Sequence, residues 1–572
     1  MTEVLAASLP PGLLLVFGAA LVPFLRGNAK KLWMLALPIL GLAQIWLLPA
    51  DFSWVVEAYG YSLEIVRIDK LSRVFGTVFH LAAGLSVLYA LKVDDDTQHV
   101  SALAYSGGAI GAVFAGDLVT LFVYWELTAI TSVFLIWASR SERSYKTGIR
   151  YLLVQVLSGV LLLAGTLLHF AETGSLAFDN LGLVSPGTTL IFLGFGIKSA
   201  FPFLHNWLQD AYPESTATGT VWLSAFSTKL AIYALARGFA GTEILIPIGA
   251  AMTAFPVFYA VIENDLRRVL SYSLNNQLGF MVVGVGIGTD LAINGAAAHA
   301  FAHILYKGLL FMAMGAVLQQ AGTTKASELG GLWRKMPWSA GFCIIGGMAI
   351  SAFPLFSGFV TKSMILTAAA EEHHTIAFFV LLFASAGVLD HSGIKVPYFA
   401  FFAHESKAAE KVRGEVPWNM LVAMAIAAFF CVAIGVFPAP LYDLLPFPVE
   451  WTAYDMTHVV TQLQLLLFAI LAFVFLNKVG WYPAELRSTV LDTDWFYRKA
   501  APAVVRAVGG VLGRAVVGAK ELAFASTDKV IGGLERVFRP GADTLGEPWP
   551  SGRTAAFAAV VLVLLLVIAY FA

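Results

Sequence analysis

Residues 191–212 read IFLGFGIKSAFPFLHNWLQDAY, and three features of this stretch decide the fold. It opens on apolar side chains, sets Lys198 among them, and places Pro202 four residues later. A charge at the centre of a membrane span costs roughly 2.5–3.5 kcal/mol, so it needs a partner or a task. Proline removes a backbone donor and clashes with the preceding turn, so Pro202 predicts a break. Broken helices are tolerated at membrane depth where their freed carbonyls line an aqueous cavity. The competing reading of Lys198 is a side chain snorkelling from a helix end. His205, just past the break, is either a relay, since a histidine ordinarily titrates near neutrality, or a satisfied core residue.

The rest of the chain fits a lipid solvent. Of 572 residues, 58% are hydrophobic and 13% are Asp, Glu, Lys or Arg. A soluble domain has about 45–50% apolar and about 25% charged residues. The net charge of −1 leaves no basic footprint for nucleic acid. Cys343 and Cys431 are too few for a cysteine-ligated iron–sulfur cluster or a disulfide framework. No Gly-rich phosphate loop is evident. The Met1 end lacks the basic start and cleavage site of a secretory signal, so the first apolar run is expected to be retained.

Apolar runs near the ~20 residues needed to span a bilayer recur along the chain. They lie near 10–26, 31–49, 70–92, 99–116, 117–138, 148–170, 187–207, 216–238, 243–262, 268–288, 292–318, 336–368, 375–403, 417–440, 458–478 and 554–571. The expectation is an all-α polytopic membrane protein of about sixteen spans. Alternate loops carry the basic residues: Arg26, Lys30 and Lys31; Arg140, Arg143, Lys146 and Arg150; Arg267 and Arg268; Lys325, Arg334 and Lys335; Lys407, Lys411 and Arg413. Loops near 171–186, 369–374 and 441–457 hold none. Arg67 and Lys70, and the acidic Asp94, Asp95 and Asp96, are exceptions. The alternation predicts basic loops in the cytoplasm and both termini outside. Pro502–Phe538 reads as one amphipathic helix, ~55 Å long at ~1.5 Å per residue, lying along the membrane surface. Its glycines, Gly509, Gly510, Gly532 and Gly533, leave open a set of shorter helices.

Further charges sit inside predicted spans. Glu126 lies in LFVYWELTAITSVFLIW, as a buried functional carboxylate or an interfacial one. Lys229 lies mid-span in VWLSAFSTKLAIYALAR. Burial disfavours the charged form of an ionisable group, which lets such a residue exchange a proton. His299, His303 and Lys307 recur every four residues, on one helix face, like the wall of a proton wire. The same spacing can serve zinc, but the acidic partner of the HExxH type is missing, and no metal is expected. Lys362 follows Pro354 and Gly358, a second interrupted span five spans after the first. That odd offset puts the two in opposite orientations, the mark of an inverted repeat. Lys395 follows Asp390 and His391, either as the wire's exit or, slightly favoured, as a partner of Asp390 near the cytoplasmic end.

Several motifs, in order, carry a resemblance: RIDKLSRVF, YWELTAI, GFGIKSAFPFLHNWLQDAYPESTAT, NDLRRVLSYSLNNQLGF, AHAFAHILYKGLLF and FPLFSGFVTKSMI. Between about Ile68 and Ser406 the chain resembles the antiporter-like subunits of respiratory complex I and the Mrp sodium/proton antiporters. GIRYLLVQVLSG and GIKVPYFAFFAHESK look most like the D subunit of Mrp antiporters. The long helix and last span are similar to the largest antiporter-like subunit of complex I and, within Mrp systems, to the A subunit. The resemblance implies two inverted five-helix bundles, spans 4–8 and 9–13. It also implies that Glu126, Lys198, Lys229, His303, Lys307 and Lys362 carry protons.

The expected organisation is N-terminal helices over 1–98, repeats over 99–240 and 241–403, C-terminal helices over 404–480, a lateral amphipathic segment over 481–553 and a last span over 554–572. The expected function is proton translocation within a multi-subunit cation/proton antiporter of the inner (plasma) membrane, the chain being not an enzyme but an ion-transport subunit. Its partners would be other membrane subunits, protons, Na+ or another monovalent cation, and lipid, with no cofactor. Alternatives are a self-sufficient antiporter, a proton-pumping subunit of a quinone oxidoreductase-like or hydrogenase-like complex, a subunit that binds quinone, and an inorganic-carbon uptake subunit.

Overall fold

The computed structural model describes residues 9–483, 485–486, 490–538 and 551–571. Parts of the segment 481–553, and residue 572 of the last predicted span, lie outside them. Each of the sixteen predicted runs falls on a helix or on a helix broken in two. Eleven helices among the described residues are long and apolar enough to cross a membrane. The chain is a multi-pass membrane protein.

The N-terminal helices are α1 (Leu13–Leu21) and α2 (Gly27–Leu47). An antiparallel hairpin of β1 (Ser53–Ala58) and β2 (Tyr61–Arg67) follows, where a loop was expected. Tyr59 and Gly60 both take positive φ at its tip, the geometry a two-residue hairpin turn demands. Among the described residues, the fold apart from this hairpin is helical. Next come α3 (Lys70–Tyr89), α4 (Asp96–Phe114), α5 (Leu118–Trp137) and α6 (Glu142–Thr173). Their starts are fixed by side-chain caps: Asp69, Asp95, Asp117 and Ser141 each accept from a backbone N–H one turn on.

The seventh run is two pieces, α7 (Pro186–Lys198) and α8 (Asn206–Ala211). The eighth, expected to be continuous, is also two: α9 (Gly219–Ala225) and α10 (Ser227–Gly238), parted at Phe226. Then follow α11 (Leu245–Ile262), α12 (Leu266–Ile287) and α13 (Asp290–Ala321). The twelfth run is again split, into α14 (Pro337–Ile350) and α15 (Ser357–Glu371). α16 (Thr375–Val388) continues as π-helix over Leu389–Lys395 and again over Tyr398–Phe402. After α17 (Lys407–Lys411), α18 (Trp418–Val436) and α19 (Ala439–Tyr442), α20 (Met456–Val479) closes the bundle.

α13 is the hub. It packs against α3, α9, α12, α14, α15 and α18 and is buried all round. A helix whose middle is apolar on every side but for His299, His303 and Lys307 belongs at the centre of a bundle. Certain features recur in both halves. Asp117 and Asp265 cap α5 and α12, and each also bridges to the loop that leaves the next long helix, at Ala177 and Lys325.

Residues from Leu491 onward form a separate compact unit. It contains α21 (Ala501–Phe538) and α22 (Ser551–Phe571). α21 runs unbroken through all four glycines, as the single-helix reading predicted.

Arg267, expected in a basic loop, is instead buried. Its guanidinium donates to the carbonyls of Tyr212, Pro213, Ser215 and Thr216 at 2.8–3.2 Å and to the Thr220 hydroxyl. It thereby ties the head of α12 to the turn between α8 and α9.

Candidate proton path

The two long breaks are built alike. In the first, α7 ends at Lys198 and residues 199–205 are not helical. Ala200 takes φ 64°; its N–H donates to Ile197 O, and that of Phe201 reaches back to Gly196 O. In the second, Ala352 takes φ 58°, with its N–H donating to Ala349 O and that of Phe353 to Met348 O. This is the Schellman closure, normally made with glycine. Phe203 and Leu355 are also left-handed, at φ 69° and 74°. A non-glycine residue there costs on the order of 1 kcal/mol and persists only where its surroundings impose it. The prolines sit inside these linkers and not at the last helical residue. Gly358, expected to break the second span, lies in the first turn of α15. Its role is close approach: a Cβ there would overlap the Ala349 carbonyl across the break.

Lys198 is fully buried. Its Nζ donates to Trp125 O (3.0 Å) and Thr128 Oγ1 (2.8 Å) on α5 and lies 4.3 Å from the Trp125 ring. Glu126, also on α5, makes no ion pair with it: the two groups feel each other's charge but stand more than 4.0 Å apart. The carboxylate is turned toward α6, where Gly159 leaves a notch that a Cβ would close. Glu126 Oε1 is buried there without a hydrogen-bond partner.

Lys229 exploits the interruption at Phe226. A regular helix would satisfy the Ser224 carbonyl with a backbone N–H; here Lys229 Nζ donates to it at 2.6 Å and to Thr228 Oγ1 at 3.2 Å. Tyr105 of α4 holds the interruption, accepting from Ser227 N at 2.9 Å.

His303 and Lys307 come next on α13. Both are fully buried, and neither His303 nitrogen nor Lys307 Nζ has a protein hydrogen-bond partner. Lys307 Nζ lies 5.8 Å from the Phe311 ring. Buried polar atoms of this kind ordinarily bond to water when no protein partner is in reach. His299 is better served. Its Nδ1 is 3.0 Å from Thr361 Oγ1, and its Nε2 is 3.2 Å from Gln277 Oε1, which also accepts from Tyr306 OH at 3.1 Å. The His303 ring lies 5.2 Å from Tyr306 and 6.3 Å from His299. Thr361 precedes Lys362, whose Nζ donates to Ile350 O at 3.0 Å and stands 4.9 Å from the Phe280 ring.

Lys395 departs from the expected pairing. It binds Glu485 at 2.8 Å, not Asp390, and donates to the carbonyls of Val261 (2.6 Å), Glu263 (2.8 Å) and Ala260 (3.3 Å) where α11 ends. Asp390 lies in its electrostatic field without an ion pair. Both residues lie on the π-helical stretch Leu389–Lys395. His205 stands at the head of α8 with its ring 4.6 Å from that of Phe255.

Lys198, Lys229, His299, His303, Lys307 and Lys362 are thus all buried, with Glu126 half-buried near Lys198, and Lys229, His299, His303, Lys307 and Lys362 lie within one another's electrostatic reach. The sequence reading missed Thr128, Gly159, Ser224, Gln277, Tyr306, Thr361 and Glu485. A signal existed for Gln277, since Asn275, Asn276 and Gln277 are three consecutive amides inside an apolar run. Glu485 lies outside every predicted span, so no such signal marked it.

Comparison with known proteins places this interior in a recognisable setting. The family described as NADH:quinone oxidoreductase/Mrp antiporter, TM, matches residues 115–389, which hold every member of the interior row. Hydrogenase-4 component B of Escherichia coli (strain K12) is 29% identical over 419 residues, 65% of this chain and 62% of that protein. This chain therefore spans less than two thirds of that relative. The D subunit of the Na(+)/H(+) antiporter of Alkalihalophilus pseudofirmus is 28% identical over 473 residues, 75% of this chain and 95% of that protein. The solved Mrp complex from Dietzia sp. DQ12-45-1b contains a chain with the same fold, at TM-score 0.77 and 24% identity, covering 93% of this chain and 63% of that one.

Proposed function

We propose, from the match of residues 115–389 to the NADH:quinone oxidoreductase/Mrp antiporter transmembrane family, that this chain is the proton-translocating subunit of a multi-subunit cation/proton antiporter of Mrp type. The observation that carries the reading is the row of buried lysines, each fully enclosed, with histidines between them. Protons move along Lys198, Lys229, His303, Lys307 and Lys362 in exchange for Na+ or another monovalent cation.

In the mechanism, Glu126 is the switch. With Glu126 turned to Lys198 the pair stabilises both charges. With Glu126 in the Gly159 notch, the Lys198 ammonium keeps only a carbonyl, a hydroxyl and an aromatic face. That arrangement favours release of its proton toward Lys229, whose Nζ faces the freed Ser224 carbonyl. Water beside His303 and Lys307 carries the proton on to Lys362. The two matching breaks support the reading of inverted repeats over 99–240 and 241–403. In the plasma membrane proposed as its location, loop basicity supports an orientation with basic loops in the cytoplasm and both termini outside. Partner membrane subunits would drive the switch. The catalytic chemistry of any attached redox module would lie outside this chain.

A second reading, a proton-pumping subunit of a hydrogenase-like or quinone oxidoreductase-like complex, is favoured by the similarity to hydrogenase-4 component B. The test is cation-induced pH change in everted vesicles bearing the whole complex, with Lys229→Ala and Glu126→Ala as variants. Loss in both, with normal assembly, upholds the path. Full activity in both would make these charges structural. Proton movement that follows electron donors and ignores added Na+ or K+ would select the second reading.

A further inference from the structure

The second half of the bundle has no counterpart of Glu126. α12 begins, like α5, at a capping aspartate, and the residue matching Glu126 by distance from that cap is Leu274, fully buried. Lys362 accordingly has no carboxylate in ion-pair contact. A half-path without a switch would leak. Acidic groups gather instead around Lys395, whose neighbour His391 lies in the fields of both Lys395 and Lys362.

Lys395 is fully enclosed and sits on a stretch of π-helix, a local geometry frequent at functional sites. Two carboxylates flank it. Glu485 holds the ammonium at 2.8 Å; Asp390, five residues earlier, shares its field while its Oδ1 is buried without a hydrogen-bond partner. On the inner side, His391 Nδ1 is 2.9 Å from Ser392 Oγ, which donates to Ser273 Oγ at 2.7 Å. His391 Nε2 is buried and unbonded, and the ring lies in the fields of Lys307, Lys362 and Lys395. The remaining ionisable neighbours are Tyr482 and Glu263, the latter 4.0 Å from Arg268. The carbonyls that Lys395 caps lead directly into the Arg267–Arg268 segment, on the face of the basic loops.

We infer that Lys395 is a second gate, at the basic-loop end, whose ammonium alternates between Glu485 and Asp390 and so controls proton exchange between that face and the interior row. The inference rests on the proposed proton-path function. Bound to Glu485, the ammonium is locked. Bound to Asp390, it passes one proton from Nζ to His391 Nε2, and the neutral amine regains one through the Asp390 carboxyl. The alternative is that Lys395 is a fixed cap on α11. Asp390→Asn separates the two, because Asp390 makes none of the contacts that hold Lys395.

The experiment uses the whole complex in everted vesicles, with Asp390→Asn, Asp390→Glu, Glu485→Gln and the reference Lys229→Ala. A gate predicts that Asp390→Asn assembles normally, slows cation-induced proton movement about fivefold or more, near 1 kcal/mol in barrier, and changes its pH profile. Asp390→Glu should restore most of the rate. Glu485→Gln should uncouple, letting an imposed pH gradient decay faster without added cation. If Asp390→Asn and Glu485→Gln both keep the wild-type rate, coupling and pH profile while Lys229→Ala is inactive, the gate is wrong and the path stands. If Lys229→Ala is as active as wild type, the path itself falls, and the gate with it.

Discussion

The two breaks, Ser199–Leu204 (SAFPFL) and Ser351–Phe356 (SAFPLF), share sequence, left-handed positions and back-bonded closure, yet they hold their lysines differently. Lys198 ends the half-helix before its break and reaches across to another helix, α5. The matching position at the second break is Ile350, whose carbonyl accepts the ammonium of Lys362 from the half-helix after it. The first lysine is held by the helix that also carries Glu126, so motion of that helix's side chains can change its charge state. The second is held by its own broken helix, with no acid in contact. In the proposed mechanism, one backbone device would serve a switch in one half and a relay in the other.

The largest expected effect tests what the halves share. Lys198→Ala and Lys362→Ala should each slow cation-induced proton movement about tenfold or more, since loss of a relay group adds at least ~1.4 kcal/mol to the barrier. A normal rate for either variant in everted vesicles would break the equivalence of the two lysines. Next comes what they do not share. Glu126→Gln should cost severalfold in the same assay, whereas Leu274→Met, at the corresponding place on α12, should leave transport near wild type and lower stability by under ~1.5 kcal/mol. Equal losses of transport would place a switch in both halves. A smaller effect probes the notch. Gly159→Ala should push Glu126 off α6 and reduce the rate a few-fold with normal assembly; an unchanged rate would show that the notch is not needed. Smallest is the strain itself. Ala200→Gly and Ala352→Gly relieve a left-handed alanine but loosen the unfolded chain, so thermal unfolding in detergent should shift by no more than about 1 kcal/mol either way. A larger loss at one site would mean that its methyl group packs in a way the other's does not.

Much of this was legible in sequence because charge in an apolar run is rare and costly. That rule alone singled out Glu126, Lys198, Lys229, Lys307, Lys362 and Lys395. The histidines were legible from their spacing, since four residues on a helix return to one face. The hydrogen-bonding partners were not. Thr128, Ser224 and Thr361 are ordinary residues inside spans, and they matter only because a neighbouring helix or a break brings an ammonium or an imidazole to them. The interruption at Phe226 had no proline or glycine to announce it; Tyr105, from α4, holds it.

The sequence by itself determined the solvent, the number of apolar runs and the identity of the lysines and histidines buried inside the runs. Those follow from composition and from the energetic penalty on each ionised group in lipid, which are local quantities. Tertiary structure alone decided which charges pair. It set Glu126 against Gly159 and not against Lys198, gave Lys395 to Glu485 over the nearer-in-sequence Asp390, and buried Arg267 among carbonyls. Pairing depends on ångström-scale separations between groups on different helices, because electrostatic and hydrogen-bond energies fall steeply with distance. No periodicity along one chain segment encodes those separations.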